Sequence, residues 1–142
     1  MRRVTLVSGP PCAGKSTFVE QRRSVGDLVV DFDAEASTLG SGGKWKHTAA
    51  VGDATERRIQ DLIETVAAMV DGTAWVIRCA PEAEAREALA ARVRADRVIV
   101  LRPALGVLLE RAARRPLVRE TRRAIMRWLD RFTSTPRDEL VR

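Results

Sequence analysis

Residues 9–17 contain the groups whose types and spacing best suit a chemical role. They read Gly-Pro-Pro-Cys-Ala-Gly-Lys-Ser-Thr, a full match to the pattern G-x-x-x-x-G-K-[ST], and they directly follow the apolar run 4–7. In such an arrangement a buried strand, a glycine-bounded turn and a helix start direct several backbone N–H groups toward one point, where they bind a polyphosphate. The sequence therefore predicts a phosphate-binding loop for a nucleoside triphosphate.

The residues of this loop have different predicted roles. Gly9 and Gly14 allow dihedral angles and a close backbone approach that a Cβ would block, whereas two prolines between them lack N–H donors. Lys15 is positioned to reach the β- and γ-phosphates of ATP, and the Ser16 hydroxyl to bind Mg²⁺. The predicted nucleotide-binding residues of the loop are Gly9, Cys12, Ala13, Gly14, Lys15, Ser16 and Thr17, with Ser16 as the metal ligand.

Strand and helix patterns alternate along the chain and must position this loop. Strands are predicted at 3–8, 28–30, 75–77 and 97–101, and helices at 14–24, 54–71, 81–94, 103–114 and 119–132. Apolar strands that alternate with helices predict a parallel sheet covered on both faces, so we expect an α/β, three-layer αβα P-loop NTPase fold with about four to five strands. Ligands of such sheets bind beyond the carboxyl ends of the strands.

The helix boundaries and buried faces rest on local signals. Asp53 and Glu56 resemble a capping box that starts the second helix, and Gly72 follows its end. Leu105, Leu108 and Leu109 are predicted to face inward. The apolar positions of the last helix, which repeat at i, i+3, i+4 and i+7, are Ile125, Trp128, Leu129 and Phe132.

Two carboxylates follow the second predicted strand, at the sheet edge that holds the phosphate loop. Asp33 is the candidate general base, because a carboxylate there can accept the proton of an attacking hydroxyl. Asp31 is the reserve candidate for this role and a candidate substrate-binding residue. The alternative is that both residues end a strand or cap a helix.

Arginines near Pro116 form a candidate lid. Arg111 and Arg115 lie four residues apart, hence on one face of a helix, and they suit closure over ATP, with Arg111 also binding the nucleotide. Arg114 is the alternate if the helix ends earlier. An ordinary solvated basic patch is the competing interpretation.

Trp45, Lys46 and His47 follow a glycine-rich connection and are candidate substrate-binding residues. An aromatic ring beside a cation and an imidazole can stack on a base and contact phosphate, although the same side chains can also pack the loop down. Cys12 and Cys79 lack zinc-type spacing, and we predict two small buried hydrophobic residues rather than a redox pair.

Composition limits the class of protein. A length of 142 residues suits one domain, and neither a run of eighteen apolar residues nor a signal-like start is present, so a cytoplasmic protein with no membrane partner is expected. The net charge of +6 comes entirely from residues 111–142, which hold ten Lys and Arg against four Asp and Glu. This basic end can bind nucleotide phosphates, a nucleic-acid backbone, or only solvent.

The phosphate loop, Asp33, the segment 108–116 and the pattern of 118–132 together resemble the polynucleotide-kinase-type branch of P-loop kinases. The resemblance covers most of the chain and implies one kinase domain over 1–142, with 133–142 considered as a flexible tail. It implies that Lys15, Asp33, Arg111 and Arg115 are catalytic, with ATP and Mg²⁺ as cofactors.

The chain departs from that family at two places. Ala36 stands where the family usually has an arginine, and residues 78–80 read Arg-Cys-Ala where it usually has an Asp-x-Asn element. Without that acidic residue, Mg²⁺ is expected on Ser16, the phosphates and water, with Asp31 or Asp33 in the outer shell.

The predicted function is transfer of the γ-phosphate of ATP to a nucleic-acid hydroxyl, as a 5′-hydroxyl kinase performs it. Two alternatives stay open. One is a kinase of a small molecule or nucleotide. The other is an ATP-binding regulatory or nucleic-acid-binding module with little turnover. The acceptor and the oligomeric state are not determined by the sequence.

Overall fold

A computed structural model describes residues 1–31 and 49–142, with side chains from 52 onward in the second range. The described strands are β1 (Arg2–Ser8), β2 (Leu28–Asp31), β3 (Gly72–Ile77), β4 (Arg97–Leu101) and β5 (Asp138–Val141). The described helices are α1 (Lys15–Glu20), α2 (Ala49–Ala68), α3 (Ala83–Val93), α4 (Leu105–Ala112) and α5 (Val118–Arg131). None of these helices is both long and apolar enough to cross a membrane.

The five strands form one parallel sheet in the order β2-β3-β1-β4-β5. β1 lies at its centre, so the loop after β1 starts in the middle of the carboxyl edge. The register places Ile77 of β3 beside Val7 of β1 on one side and beside Asp31 of β2 on the other. The carboxyl ends of β1, β2 and β3 therefore meet at one place, which is where ligands bind on such sheets.

Alternation along the strands builds a core on each face of the sheet. Val4 and Leu6 of β1 pack with residues of α2 and α3 in one cluster, whereas Val7 packs with residues of α1, α4 and α5 in the other. The side-chain period of two sends successive residues of a strand to opposite faces. This confirms the predicted layers of helix, parallel sheet and helix.

Several predicted boundaries and faces are corrected. α2 begins at Ala49, so the proposed capping box of Asp53 and Glu56 lies inside the helix rather than at its start. Leu108 is fully buried as predicted, but Leu105 is 41% exposed at the first position of α4. The apolar face of α5 is confirmed, since Ile125 and Trp128 are buried.

The segment 133–142, considered from the sequence as a flexible tail, contains β5, which pairs with β4. A buried ion pair holds this strand. Arg86 of α3 donates from Nη2 to Asp138 Oδ2 at 2.5 Å and from Nε to Oδ1 at 3.1 Å, and both side chains are 1% exposed. The arginine also donates to the backbone carbonyls of Thr133 and Ala80. Charge-assisted bonds of this kind are among the strongest in proteins.

The environment of Asp138 lowers the pKa of its carboxyl. Burial alone raises the pKa of this carboxyl, but hydrogen bonds from Arg86 and from the Thr135 amide, together with the arginine charge, outweigh burial and leave the pKa below its ordinary value of 3.8. The carboxylate therefore contributes stability above pH 3.8, and this contribution is lost as the pH falls through the lower pKa of the folded state.

Candidate active site

The phosphate loop runs from the end of β1 to the start of α1. Gly9 has φ +155°, and a Cβ at this position would lie 2.6 Å from the backbone oxygen of Leu101 in β4. Gly14 precedes α1 with φ +86°, and Cys12 is also in the left-handed region with φ 68°. These dihedral angles turn the chain sharply between strand and helix, as the two glycines of the motif predict.

Lys15 lies within the curve of this loop. Its Nζ donates to the backbone oxygens of Gly9 at 3.0 Å and Pro10 at 2.9 Å. Pro10 thus supplies a carbonyl, while its missing N–H is not required. The ammonium is held on the loop by neutral acceptors, which leaves its positive charge uncompensated by either contact.

Ser16 and Asp31 face each other across the end of β3. The Ser16 Oγ donates to Asp31 Oδ2 at 2.7 Å, and Asp31 is 8% exposed at the last position of β2. Because β3 lies between β1 and β2 in the sheet, this contact spans three neighbouring strand ends. A hydroxyl and a carboxylate oxygen are the hard ligands that Mg²⁺ prefers.

The described residues contain no group of three or more His, Cys, Asp and Glu side chains able to hold a metal ion by themselves. A cation beside Ser16 and Asp31 would therefore complete its coordination with oxygens of phosphate and water. That arrangement is usual for Mg²⁺ in phosphoryl-transfer sites. The donor set fits the ion.

The arginines predicted to form a lid occupy different positions. Arg111 donates from Nη1 to the Cys12 backbone oxygen at 2.9 Å, which brings the end of α4 onto the phosphate loop. Arg115 lines the cavity beside the loop. Arg114, the alternate, forms an exposed ion pair with Glu110 at 3.0 Å and is not among the residues lining the cavity.

A cavity of about 660 Å³ extends from the loop to α5. It includes residues that the sequence analysis did not select. Arg78 directly follows β3, so the rule that ligands bind at strand ends would have identified it. Arg127 lies on the polar face of α5, and no sequence signal distinguishes it from the other arginines of that helix. The cavity is lined by Pro11, Cys12, Gly14, Lys15, Ser16, Thr17, Asp31, Ile77, Arg78, Cys79, Ala80, Arg115, Leu117, Glu120, Thr121, Ala124 and Arg127.

The backbone carbonyl of Cys79, a residue that lines this cavity, accepts two hydrogen bonds from different elements. It accepts hydrogen bonds from Ser8 Oγ at 2.6 Å and from Trp128 Nε1 at 2.7 Å. The first bond comes from β1 and the second from α5, so this carbonyl connects the helix to the sheet edge. The contact places α5 over the carboxyl end of β3.

The two cysteines have unlike environments. Cys12 is buried, as predicted, but Cys79 is exposed and lines the cavity, so the prediction of two buried hydrophobic residues is wrong for Cys79. The backbone turns outward after β3, and Ala80 has φ 30°. Both thiols are free.

Four predicted site residues lie outside the described residues. They are the candidate base Asp33 and the candidate substrate-binding residues Trp45, Lys46 and His47. Their predicted roles stay predictions.

No protein-family model matches the chain, and no curated protein matches it. Solved structures do match. An unliganded sugar kinase from Janibacter sp. HTCC2649 has 16% sequence identity and a TM-score of 0.65, and the match covers 99% of this chain and 84% of that chain. A gluconokinase from Sinorhizobium meliloti 1021 has 17% identity and a TM-score of 0.64, with 98% and 81% covered.

At these identities the likeness concerns the fold, and neither match supports the polynucleotide-kinase-like type. The chain therefore has the three-layer αβα fold of P-loop kinases, which it shares with a sugar kinase and a gluconokinase.

Proposed function

We propose that the chain is an ATP-dependent kinase that transfers the γ-phosphate to a hydroxyl group of a small molecule. The observation that carries this proposal is the Ser16–Asp31 contact of 2.7 Å in the same cavity as Lys15. Phosphoryl transfer requires an ammonium group, a hydroxyl ligand for Mg²⁺ and a carboxylate beside a phosphate loop, and Lys15, Ser16 and Asp31 supply these groups.

The nucleotide would be held mainly by the loop. Backbone N–H groups from Ala13 to Thr17 would bind the phosphates, and Lys15 would exchange its two carbonyl acceptors for phosphate oxygens. Gly9 and Cys12 shape the turn. This exchange is favourable because bonds between charged partners are roughly twice as strong as those between neutral groups.

Arg111 and Arg115 would close over the phosphates. Arg111 already contacts the loop through Cys12, and Arg115 lines the cavity, so both guanidinium groups are near the place where charge develops on the transferred group. A positioned arginine stabilises that charge more in the transition state than in the bound substrate.

Ser16 and Asp31 would hold Mg²⁺, with Asp31 bonded directly or through water. Bound there, Mg²⁺ would neutralise charge on the β- and γ-phosphates. The Asp31 contact with Ser16 supports a role for this carboxylate at the cation rather than at the acceptor.

Asp33 is proposed as the general base toward the acceptor hydroxyl, with Asp31 as the alternative. In the sequence, Asp33 follows Asp31, the last residue of β2, by two positions. Trp45, Lys46 and His47 are proposed to contact the acceptor. Removal of a positioned base typically costs 10²- to 10⁴-fold in rate, so Asp33→Asn should slow transfer by about that factor but retain ATP binding.

Two observations favour a small acceptor. The cavity of about 660 Å³ is of the size that small-molecule ligands occupy. Two solved structures of similar fold are a sugar kinase and a gluconokinase.

The test is to incubate the purified protein with Mg²⁺, γ-labelled ATP and a panel of sugars, sugar acids, polyols, nucleosides and 5′-hydroxyl oligonucleotides. We expect label on one small-molecule class, and loss of that label in Lys15→Met and Asp33→Asn. If ATP binds but no acceptor is labelled, the chain is instead an ATP-binding module, and the proposal is wrong.

A nucleic-acid acceptor is the second candidate, favoured by the outer face of α5. An open groove of about 900 Å³ there is lined by Arg119, Arg122, Arg123 and Arg127. The residues that the structure describes supply no ion-pair partner to these four arginines. If the protein contacts six phosphates of an oligonucleotide, its affinity should fall by about 10³-fold between 50 and 200 mM salt, whereas its affinity for a neutral sugar should not change.

A further inference from the structure

Two arginines line the active-site cavity but belong neither to the phosphate loop nor to the predicted lid. They are Arg78, directly after β3, and Arg127, on α5. The proposed chemistry at the nucleotide uses neither of them. Their position raises the question of which negative charge they bind.

Arg78 emerges between the phosphate loop and Asp31. Its backbone N–H donates to the oxygen of Val7 at 3.1 Å, which fixes its backbone beside the start of the loop. The Arg78 guanidinium pairs with Glu56 of α2 at 3.4 Å, and the two side chains are 29% and 42% exposed. Ion pairs between partly exposed side chains are weak, so a ligand anion can compete with Glu56 for this guanidinium.

Arg127 is held over the same region by its helix. The next residue, Trp128, donates its indole N–H to Cys79, adjacent to Arg78. Among the side chains of residues 1–31 and 52–142 and the described backbone, none forms a hydrogen bond or an ion pair with the Arg127 guanidinium. Glu120 lies on the same face of α5 but seven residues earlier, about 10 Å along the helix axis, so it does not neutralise Arg127.

The charges of the cavity are unequal. Its lining contains four cationic side chains against two carboxylates, and Asp31 is one of those two. If Lys15 and Arg115 serve the nucleotide, Arg127 adds a positive charge to the rest of the cavity, and Arg78 can exchange its contact with Glu56 for one with a ligand anion. Arginine binds carboxylate and phosphate groups through two parallel N–H···O bonds, which gives both affinity and orientation.

We infer that the acceptor alcohol is an anion, and that Arg127 and Arg78 bind its carboxylate or phosphate group. This inference rests on the proposed function, because it assigns the acceptor half of the same cavity. The anionic group orients the molecule so that its hydroxyl lies toward the phosphate loop. A neutral alcohol of the same shape lacks this contact and binds more weakly.

The first experiment measures binding, so it does not require turnover. Calorimetry with saturating MgADP compares matched ligands: D-glucose, D-gluconate and D-glucose 6-phosphate, then glycerol, glycerate and glycerol 3-phosphate. We expect at least one anionic member to bind ten or more times more tightly than its neutral partner. The carboxylate and phosphate members show which anion the site selects.

Variants then assign the selectivity to the arginines. Arg127→Gln should reduce the affinity for the preferred anion about tenfold or more and leave MgATP affinity unchanged. Arg123→Gln is the matched control, because it removes the same charge from an exposed position of α5 that does not line the cavity. Arg78→Gln should resemble Arg127→Gln.

The inference is wrong if no anionic ligand binds more tightly than its neutral partner, or if Arg127→Gln and Arg123→Gln reduce binding equally. Failure of the kinase proposal looks different. In that case anions bind in an Arg127-dependent manner, but no label passes from ATP to any of them.

Discussion

Gly9 gives the sharpest test of the loop geometry. Alanine at this position would place its Cβ 2.6 Å from the backbone oxygen of Leu101, where real Cβ atoms essentially never lie. β4 cannot move aside easily, since it pairs with β1 on one side and β5 on the other. Gly9→Ala must therefore displace the loop itself, or force the two central strands apart.

The expected cost has two parts. Steric overlap in a packed region costs about 1–3 kcal/mol, and a positive φ outside the left-handed helical region costs about 1–3 kcal/mol for a residue with a side chain. Gly9→Ala should therefore lower the free energy of unfolding by about 2–6 kcal/mol. Displacement should also move a carbonyl that binds Lys15, and reduce ATP affinity at least tenfold.

Gly26 supplies the matched control. It has φ +93°, but a Cβ there meets no atom within 4 Å. Gly26→Ala should show the backbone cost alone, about 1–2 kcal/mol, with unchanged ATP affinity. Urea unfolding gives the free energies by linear extrapolation, and calorimetry with MgATP gives the affinities.

The reasoning would be refuted if Gly9→Ala and Gly26→Ala unfolded at the same urea concentration and bound MgATP alike. Equal losses would mean that positive φ, rather than contact with β4, makes glycine necessary. If Gly9→Ala kept wild-type stability but lost ATP affinity, the substitution would displace only the loop, and β4 would not oppose the added Cβ.

Three further predictions concern other parts of the molecule. Asp138→Asn leaves a buried guanidinium without its carboxylate and should lower the free energy of unfolding by about 3–5 kcal/mol at pH 7. Because the pKa of Asp138 is depressed in the folded state, the stability difference between the variant and wild type should shrink below pH 3.8. A stability difference that stays constant from pH 7 to pH 3 would contradict the ion pair. Lys15→Met should weaken MgATP binding at least tenfold by calorimetry with little change in melting temperature, and wild-type affinity would exclude the lysine from the phosphates. Trp128→Phe removes the donor to Cys79 but keeps a ring against Phe132, so urea unfolding should show a loss of about 0.5–1.5 kcal/mol, and a loss above 3 kcal/mol would indicate packing rather than the hydrogen bond.

The last strand shows where sequence reasoning failed. Residues 138–141 form only a four-residue strand, and most of its residues are exposed, so no apolar run predicts it. The strand pairs with β4 and is held by the bond between Asp138 and Arg86, which are 52 residues apart. Local patterns contain no information on such a pair, so the sequence alone predicts a tail here.

The predicted start of α2 is wrong for a different reason. Asp53 and Glu56 have the spacing of a capping box, but the helix begins at Ala49. Ala49 and Ala50 are strong helix formers and start the helix earlier, and it continues through Val51 and Gly52 despite their low propensity, so the local start signal at Asp53 is not used.

The sequence by itself determined the phosphate loop and the layered α/β fold. Residues 9–17 are contiguous, so their spacing alone specifies the turn, and the periods of strand and helix specify the layers. Only the tertiary structure decided that Asp31 contacts Ser16, and that Arg78 and Arg127 share one cavity. Those contacts depend on how three strand ends and α5 pack together. Packing brings together residues that are far apart in the sequence, so sequence spacing does not predict that they are close.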